Sequence, residues 1–399
     1  MTLAALTRRT GLVIAAVIGL SGTPATAALV ACGGALNRFL AAVEGEGRRA
    51  RPSQDEADRF FRTAALDPKV IRADRGQGIF RRTFTDFSRA LISQGRINGG
   101  AANLKKHRAV FDRAQREFGV SPGILLAFWA FETDFGAVQG DFNTLNALVT
   151  LGHDCRRPGL FQPQIVAAAK LWQRGMFDPA RTTGAWAGEI GMVQMLPGDI
   201  LERGVDGDGD GKVTLKTSAP DALMSAARML QHHGWGRGEP WRQEAVMPVE
   251  FDGSRTGLDH QMTGAEWQRL GVRPRQGSIP GNLRASVLLP EGRKGPAFLA
   301  YPNYRVLFEW NKSFVYVTTA AYFATRLEGA PVFLPGNPDP QLSLDQMKSL
   351  QQKLRGRGHD GGGVDGILGA LPRAAVQKDQ ARLGLPADGW PTATLLGRI

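Results

Sequence analysis

Apolar residues recur at helical spacing through the first third of the chain. Phe39, Leu40 and Val43 form one stripe, and Val110, Phe111, Ala114 and Phe118 form another. The spacing predicts successive amphipathic helices over residues 36–130. Ser121-Pro122 reads as a helix start, a hydroxyl cap followed by a proline whose missing N–H would be unbonded in the first turn anyway. The helix it opens runs through Ile124-Leu125-Leu126-Ala127-Phe128-Trp129-Ala130-Phe131 and is predicted to end near Gly136. It is apolar almost all round, so burial is expected on every face. Helical patterning returns at residues 165–173, 221–232 and 313–327. Residues 246–300 are richer in Gly, Pro and Arg and read as a smaller irregular or strand-bearing insert. Leu334-Pro335-Gly336-Asn337-Pro338-Asp339-Pro340 reads as a linker, with a short final domain after it. Long alternation and βαβ order are both missing, so the main domain is expected to be mainly α.

Composition narrows the class. With 399 residues, 43% hydrophobic and 22% charged, the chain has the make-up of a soluble globular protein of about two domains. Its net charge of +12 favours a polyanionic partner: nucleic acid, an anionic membrane or an acidic bacterial wall. The charge is spread along the chain instead of gathered in one arm, which argues against a nucleic-acid tail.

The N-terminus decides between these partners. Arg8 and Arg9 precede an apolar stretch from Gly11 to Leu20, and Ala25-Thr26-Ala27 offers a small-x-small cleavage site. Residues 1–27 are read as a secretory signal peptide, because the apolar run is too short to span a bilayer. Thr7-Arg8-Arg9 resembles a twin-arginine signal, although Gly11 stands where a large apolar residue is usual. Export to the periplasm argues against nucleic acid as a partner. It also places the two cysteines, Cys32 and Cys155, in an oxidising compartment, where a disulfide is the preferred reading. The rival is Leu29-Val30-Ala31-Cys32, which resembles a lipobox. It would make the protein a membrane-anchored lipoprotein with Cys155 free, and only in that case is a membrane partner expected.

Glu132 is the candidate centre of chemistry. Flanked by Trp129, Phe131 and Phe135, its carboxylate is expensive to bury ionised, so burial would keep it protonated near neutral pH. That is the state a general acid needs to protonate a glycosidic oxygen. Asp134 is the nearby alternative, but two residues on along a helix it faces elsewhere.

Four segments around this position resemble the MltB-type lytic murein transglycosylases, glycoside hydrolase family 103, over residues 32–327. They are residues 124–136, ending in Glu132-Thr133-Asp134-Phe135-Gly136; residues 145–151 with His153-Asp154-Cys155-Arg156-Arg157; residues 184–197 around Gly188-Glu189-Ile190-Gly191; and Trp310-Asn311-Lys312-Ser313. The resemblance implies a lysozyme-like helical catalytic domain over 28–333 that acts as a monomer on peptidoglycan glycan strands. It implies Glu132 as the single acid/base, no cofactor required for the chemistry, and a 1,6-anhydro-N-acetylmuramic acid product. It further implies that Gln194, Trp310 and Asn311 line the glycan cleft. Ala185 stands where some members have a serine, and Glu189 is the candidate compensating contact, with a solvated loop glutamate as the alternative. Two rival functions stay open: a wall-binding scaffold with a dead cleft, and a muramidase-type hydrolase in which Glu189 activates water.

Asp206-Gly207-Asp208-Gly209-Asp210-Gly211-Lys212 repeats oxygen ligands as the first half of an EF-hand loop does, but position twelve is Thr217 instead of glutamate. A structural calcium is expected on Asp206, Asp208 and Asp210, with Lys212 through its carbonyl and Asp221 closing the site. After the linker at 334–341, residues 342–399 resemble the peptidoglycan-binding type 1 domain, a small three-helix module. The resemblance rests on Leu350-Gln351-Gln352-Lys353-Leu354, on the Val364-Asp365-Gly366 turn and on Leu385-Pro386-Ala387-Asp388-Gly389. As a tethered module it would raise the local concentration of insoluble wall and leave cleavage of short soluble fragments nearly untouched, and at ~60 residues, near the lower limit for folding alone, it is also expected to lean on the main domain.

Overall fold

The computed structural model describes residues 27–47, 54–76 and 81–399. The signal-peptide reading falls almost wholly on residues outside these. Among the described residues, no helix is long and apolar enough to cross a membrane.

The main body is helical, as the apolar spacing predicted, and its single large core collects side chains from Phe39 to Phe333. At its centre lies the Pro122–Thr133 helix, buried from Gly123 to Thr133. Ser121 caps it by accepting from the Gly123 amide, and Pro122 takes the first turn. Glu328, the C-terminal cap of the Phe314–Leu327 helix, accepts from the same amide at 3.0 Å and from the Ser121 hydroxyl. The two helices pack side by side, closely enough that a Cβ on Gly123 would lie 2.7 Å from the Ala324 carbonyl.

Residues 246–300 do carry strands, and the sheet begins slightly earlier than predicted. Five antiparallel strands lie in the order Met262–Thr263, Arg284–Leu288, Ala297–Ala300, Arg242–Val246, Arg273–Pro274. In Ala297–Ala300, Ala297 and Leu299 point into a small core around Trp267, while Phe298 and Ala300 face the main core. Both faces are buried, so the strand reads as a continuous apolar run with no polar residue between.

The C-terminal segment forms three helices, Leu344–Gly356, Ala370–Arg382 and Ala393–Arg398, around a core of Leu342, Met347, Leu350, Leu354, Ala375, Val376 and Leu395. The linker before it is pinned rather than loose. The Leu334 amide donates to Glu244 at 2.9 Å, the Asn337 amide to the Lys294 carbonyl at 2.8 Å, and the Lys294 ammonium to Asp339 at 2.6 Å.

Cys32 and Cys155 form a disulfide with a Cα–Cα distance of 5.3 Å across 123 residues of sequence. Two further bonds, from the Gly33 amide to the His153 carbonyl and between the His153 ring and the Gly34 carbonyl, hold the same junction. Replacing Cys155 with Ser should therefore lower stability by ~2–5 kcal/mol, read from denaturant midpoints. Intact mass of the protein should show the loss of two hydrogens relative to the reduced chain. A lipid adduct on Cys32, or two free thiols, would contradict this pairing.

Candidate active site

The Pro122–Thr133 helix stops one residue after Glu132. Its cap, Asp134, and the next residue, Phe135, adopt left-handed φ values of 51° and 60°. Asp134 is held there by Arg96, whose Nε donates at 3.1 Å, so it is occupied away from Glu132. A third non-glycine residue with positive φ, Gln194 at 53°, lies in the turn opposite. Among the described residues these are the three such positions, and all border one site. Such conformations persist only where the surroundings impose them. Here the Thr133 hydroxyl donates to the Met192 carbonyl at 2.6 Å and ties the helix end to the 191–195 turn.

Glu132 is fully buried. Its Oε1 accepts from the Trp310 indole at 3.0 Å and from the Tyr316 hydroxyl at 2.5 Å, while Oε2 is buried with no hydrogen-bond partner. Trp310 ends the Pro302–Trp310 helix, and Tyr316 sits in the first turn of Phe314–Leu327. Both donors are fixed by rings of the Pro122–Thr133 helix. Phe128 stacks on Trp310 at 4.3 Å, and Phe131 meets Tyr316 edge-on at 6.0 Å. Burial pushes the Glu132 carboxyl up from 4.5 to about 8; the Tyr316 and Trp310 bonds pull against that, and the nearby Glu189 charge adds to it.

Asn311 is buried beside these groups. Its Oδ1 accepts from the Ser313 amide at 2.8 Å, leaving Nδ2 unbonded. Gln194 donates to the Gly191 carbonyl at 2.7 Å and the Gln139 carbonyl at 3.3 Å, so its amide nitrogen serves the turn.

Glu189 is buried, not a solvated loop residue. The turn that carries it needs glycines: Gly188 and Gly191 have φ of 88° and 84°, and a Cβ on either would strike Leu148 or Leu215. Burial raises its carboxyl from 4.5 to about 7, opposed by its own amide and that of Ala187 and by the Arg157 charge. Arg157 in turn pairs with Asp74, which also takes Arg156 at 2.6 Å. The Glu189 charge thus bears on Glu132, and Glu189 is itself backed by Arg157. Sequence reasoning missed Tyr316 and gave Arg157 no role. One more aromatic in an apolar helix carries no mark of its partner, and an arginine after a cysteine shows nothing of the aspartate it will meet.

Elsewhere, carboxylate oxygens of Asp206, Asp208 and Asp210 lie within 4.8 Å of one another. Asp206 accepts from the amides of Gly209, Asp210 and Gly211, which curls the loop, and Asp210 accepts from the Lys212 amide. Asp221 is not brought to this cluster. It lies buried in the first turn of the Ala219–His232 helix, with its oxygens taken by the Gly207 and Thr214 amides at 2.8 and 2.6 Å. It staples the loop's two ends rather than closing a cation site.

The Glu132 burial predicts a pH signature. An unfolded carboxyl ionises near 4.5 while the folded one holds its proton to about 8, so the group's effect on stability worsens as pH rises between these values. Over the whole window the loss is ~5 kcal/mol. Glu132→Gln should therefore melt increasingly above the parent protein from pH 4.5 to 8.5. A difference that does not change with pH would contradict the buried acid.

The chain matches the transglycosylase SLT domain over residues 35–325 and the putative peptidoglycan-binding domain over 343–399. The structure of SltB3 from Pseudomonas aeruginosa in complex with NAG-NAM-pentapeptide is 34% identical, covering 92% of this chain and all of that one, with a TM-score of 0.83. SltB1 from the same organism is 26% identical over 73% of this chain and 100% of its own, with a TM-score of 0.65. Membrane-bound lytic murein transglycosylase B of Escherichia coli K12 is 27% identical over 57% of this chain, a match spanning 62% of that relative's length. With well over half its length matched, the chain belongs to the SLT-domain transglycosylase family.

Proposed function

We propose that the protein is an exported lytic transglycosylase that cleaves the MurNAc–GlcNAc β-1,4 bond of peptidoglycan, with Glu132 as its general acid and base. The observation that carries this reading is the Glu132 carboxyl: fully buried, bonded through one oxygen only, and protonated up to about pH 8. Oε2 is the atom left to deliver a proton. In the first step Glu132 protonates the leaving glycosidic oxygen as the C1–O bond breaks, and the substrate's own N-acetyl oxygen stabilises C1. Trp310 and Tyr316 hold the carboxylate so formed. In the second step the C6 hydroxyl closes on C1 and returns its proton to Glu132. No water enters, so one protein carboxylate suffices where ordinary glycosidases use two. Asn311, with a buried unbonded Nδ2, is the best-placed donor to sugar; Gln194 and Trp310 complete that wall.

In this reading residues 28–333 form the catalytic domain, and 342–399, beyond the linker at 334–341, a wall-binding module. The location is the periplasm, and the Cys32 disulfide speaks against a lipidated Cys32.

One observation favours a second reading. Glu189 is a buried carboxyl near neutrality backed by Arg157, the sort of group that activates water, so hydrolysis to a reducing end is the alternative. Mass spectrometry of digested sacculi separates the two. Anhydro ends, one water lighter, are expected from the parent protein and from Glu189→Gln; reducing ends that vanish in Glu189→Gln would establish hydrolysis. Glu132→Gln should lose at least ~10²-fold in turnover, because the amide can neither give nor retrieve the proton. Near-normal turnover by that variant would sink the assignment.

The Asp206, Asp208 and Asp210 oxygens fit a structural calcium completed by a carbonyl such as that of Lys212 and by water, without Asp221. Calcium should raise the melting temperature more than magnesium does, since the larger ion accepts a flexible oxygen shell. No response to calcium or to chelator would mean that the turn works empty.

A further inference from the structure

The C-terminal module was expected to act by tethering, yet it is docked against the catalytic body. Gln377 Nε2 donates to the Gly253 and Thr256 carbonyls at 2.7 and 3.0 Å, and the Arg293 amide donates to Asp388 at 3.0 Å. The Trp390 indole bonds the linker at the Asp339 carbonyl, 3.0 Å away. A module that only concentrates wall material needs none of these contacts. With seven buried apolar residues in its own core, it also gains stability from the body it leans on.

The centre of the docking face is Arg373, in the first turn of the Ala370–Arg382 helix. Its guanidinium is buried, donating from Nη1 to the Leu289 carbonyl at 3.3 Å and from Nη2 to the Pro290 carbonyl at 2.5 Å. It lies over the Phe314 ring at 4.6 Å and near Trp390 at 5.7 Å. Burying a cation on carbonyls and rings with no hydrogen-bonded carboxylate is costly, and a leucine would fill the same space more cheaply. What the arginine adds is direction, because a guanidinium anchored on the Leu289 and Pro290 carbonyls lies over the Phe314 ring and fixes where it sits.

That ring belongs to the segment that builds the site. Phe314 follows Ser313, whose amide bonds Asn311 and whose hydroxyl accepts from the Tyr316 amide at 3.4 Å. Trp310 precedes it and Tyr316 follows it by two residues, and both donate to Glu132. We propose that Arg373 is a positioning residue for glycan cleavage: from the C-terminal module it clamps Phe314, and through Phe314 it fixes the 310–316 segment that presents Trp310, Asn311 and Tyr316 at Glu132. This rests on the reading of Glu132 as the acid. It makes the module part of the catalytic device and turns the tether expectation around.

The test uses full-length Arg373→Met, Arg373→Lys, Phe314→Leu and the Met/Leu double variant on a soluble glycan fragment too short to reach both domains. Arg373→Met should lower kcat ~10-fold with KM within ~2-fold, and Arg373→Lys should fall between it and the parent. The double variant should lose no more than the worse single one, since both changes remove one contact. The alkaline limb of kcat should also move upward in Arg373→Met, because the Trp310 and Tyr316 bonds that hold the Glu132 carboxyl down, against burial and Glu189, are loosened. Normal kcat on the fragment with loss confined to insoluble sacculi would overturn the proposal, as would additive losses in the double variant. Should Arg373→Met fail to fold, Arg373→Lys takes its place in the cycle. Failure of the Glu132 reading would show separately, as turnover surviving in Glu132→Gln.

Discussion

The structure is organised around a carboxyl kept from water. Ionising Glu132 in place is disfavoured by ~5 kcal/mol relative to an exposed glutamate, a large part of the net stability of a typical domain. Such a group survives only where the surrounding apolar packing is strong. The Pro122–Thr133 helix provides it, because every residue from Gly123 to Thr133 is buried and each large apolar side chain among them contributes ~1.5–3 kcal/mol. The helix must also stop where the acid is needed. Two successive left-handed residues end it, and the Thr133 hydroxyl and the Arg96–Asp134 pair hold that end in place.

The donors to Glu132 work against the burial that raises its pKa, and that opposition suits the general acid and base proposed for it. Desolvation alone would favour a permanently neutral acid, reluctant to give its proton up. Trp310 and Tyr316 bonds stabilise the anion and bring the group within reach of both states. Tyr316 can do this because its own ionisation is pushed well above 10, by burial first and then by the Glu132 charge, so it stays a donor throughout.

Much of this was legible in the sequence, and the limits have physical causes. The buried helix was readable because a twelve-residue run with a cap, a proline and almost no polar face admits little else. The insert was readable only as a change of composition, since a strand buried on both faces, such as Ala297–Ala300, shows no alternation. Glu189 could be read as solvated or functional, because sequence cannot show that Gly188 and Gly191 fold its turn inward. Asp221 was misplaced for a related reason: spacing put it near the aspartate loop, but from the first turn of its helix both its oxygens are taken by the Gly207 and Thr214 amides at the loop's two ends. Tyr316 and Arg373 were illegible, since each draws its meaning from a partner that is distant in sequence.

The disulfide joins this picture at a particular place. Cys155 is followed directly by Arg156 and Arg157, the pair that converges on buried Asp74. Closing a long loop stabilises mainly by restricting the unfolded chain, and that benefit would be much the same wherever such a loop were closed. The location adds something else. The Cys32 bond and the Gly33 and Gly34 contacts to His153 fix the segment that aims Arg157, and Arg157 lowers the Glu189 carboxyl that burial has raised. Glu189 in turn bears on Glu132. The Cys32–Cys155 crosslink is thus connected, through Arg157 and two buried acids, to the protonation state of Glu132.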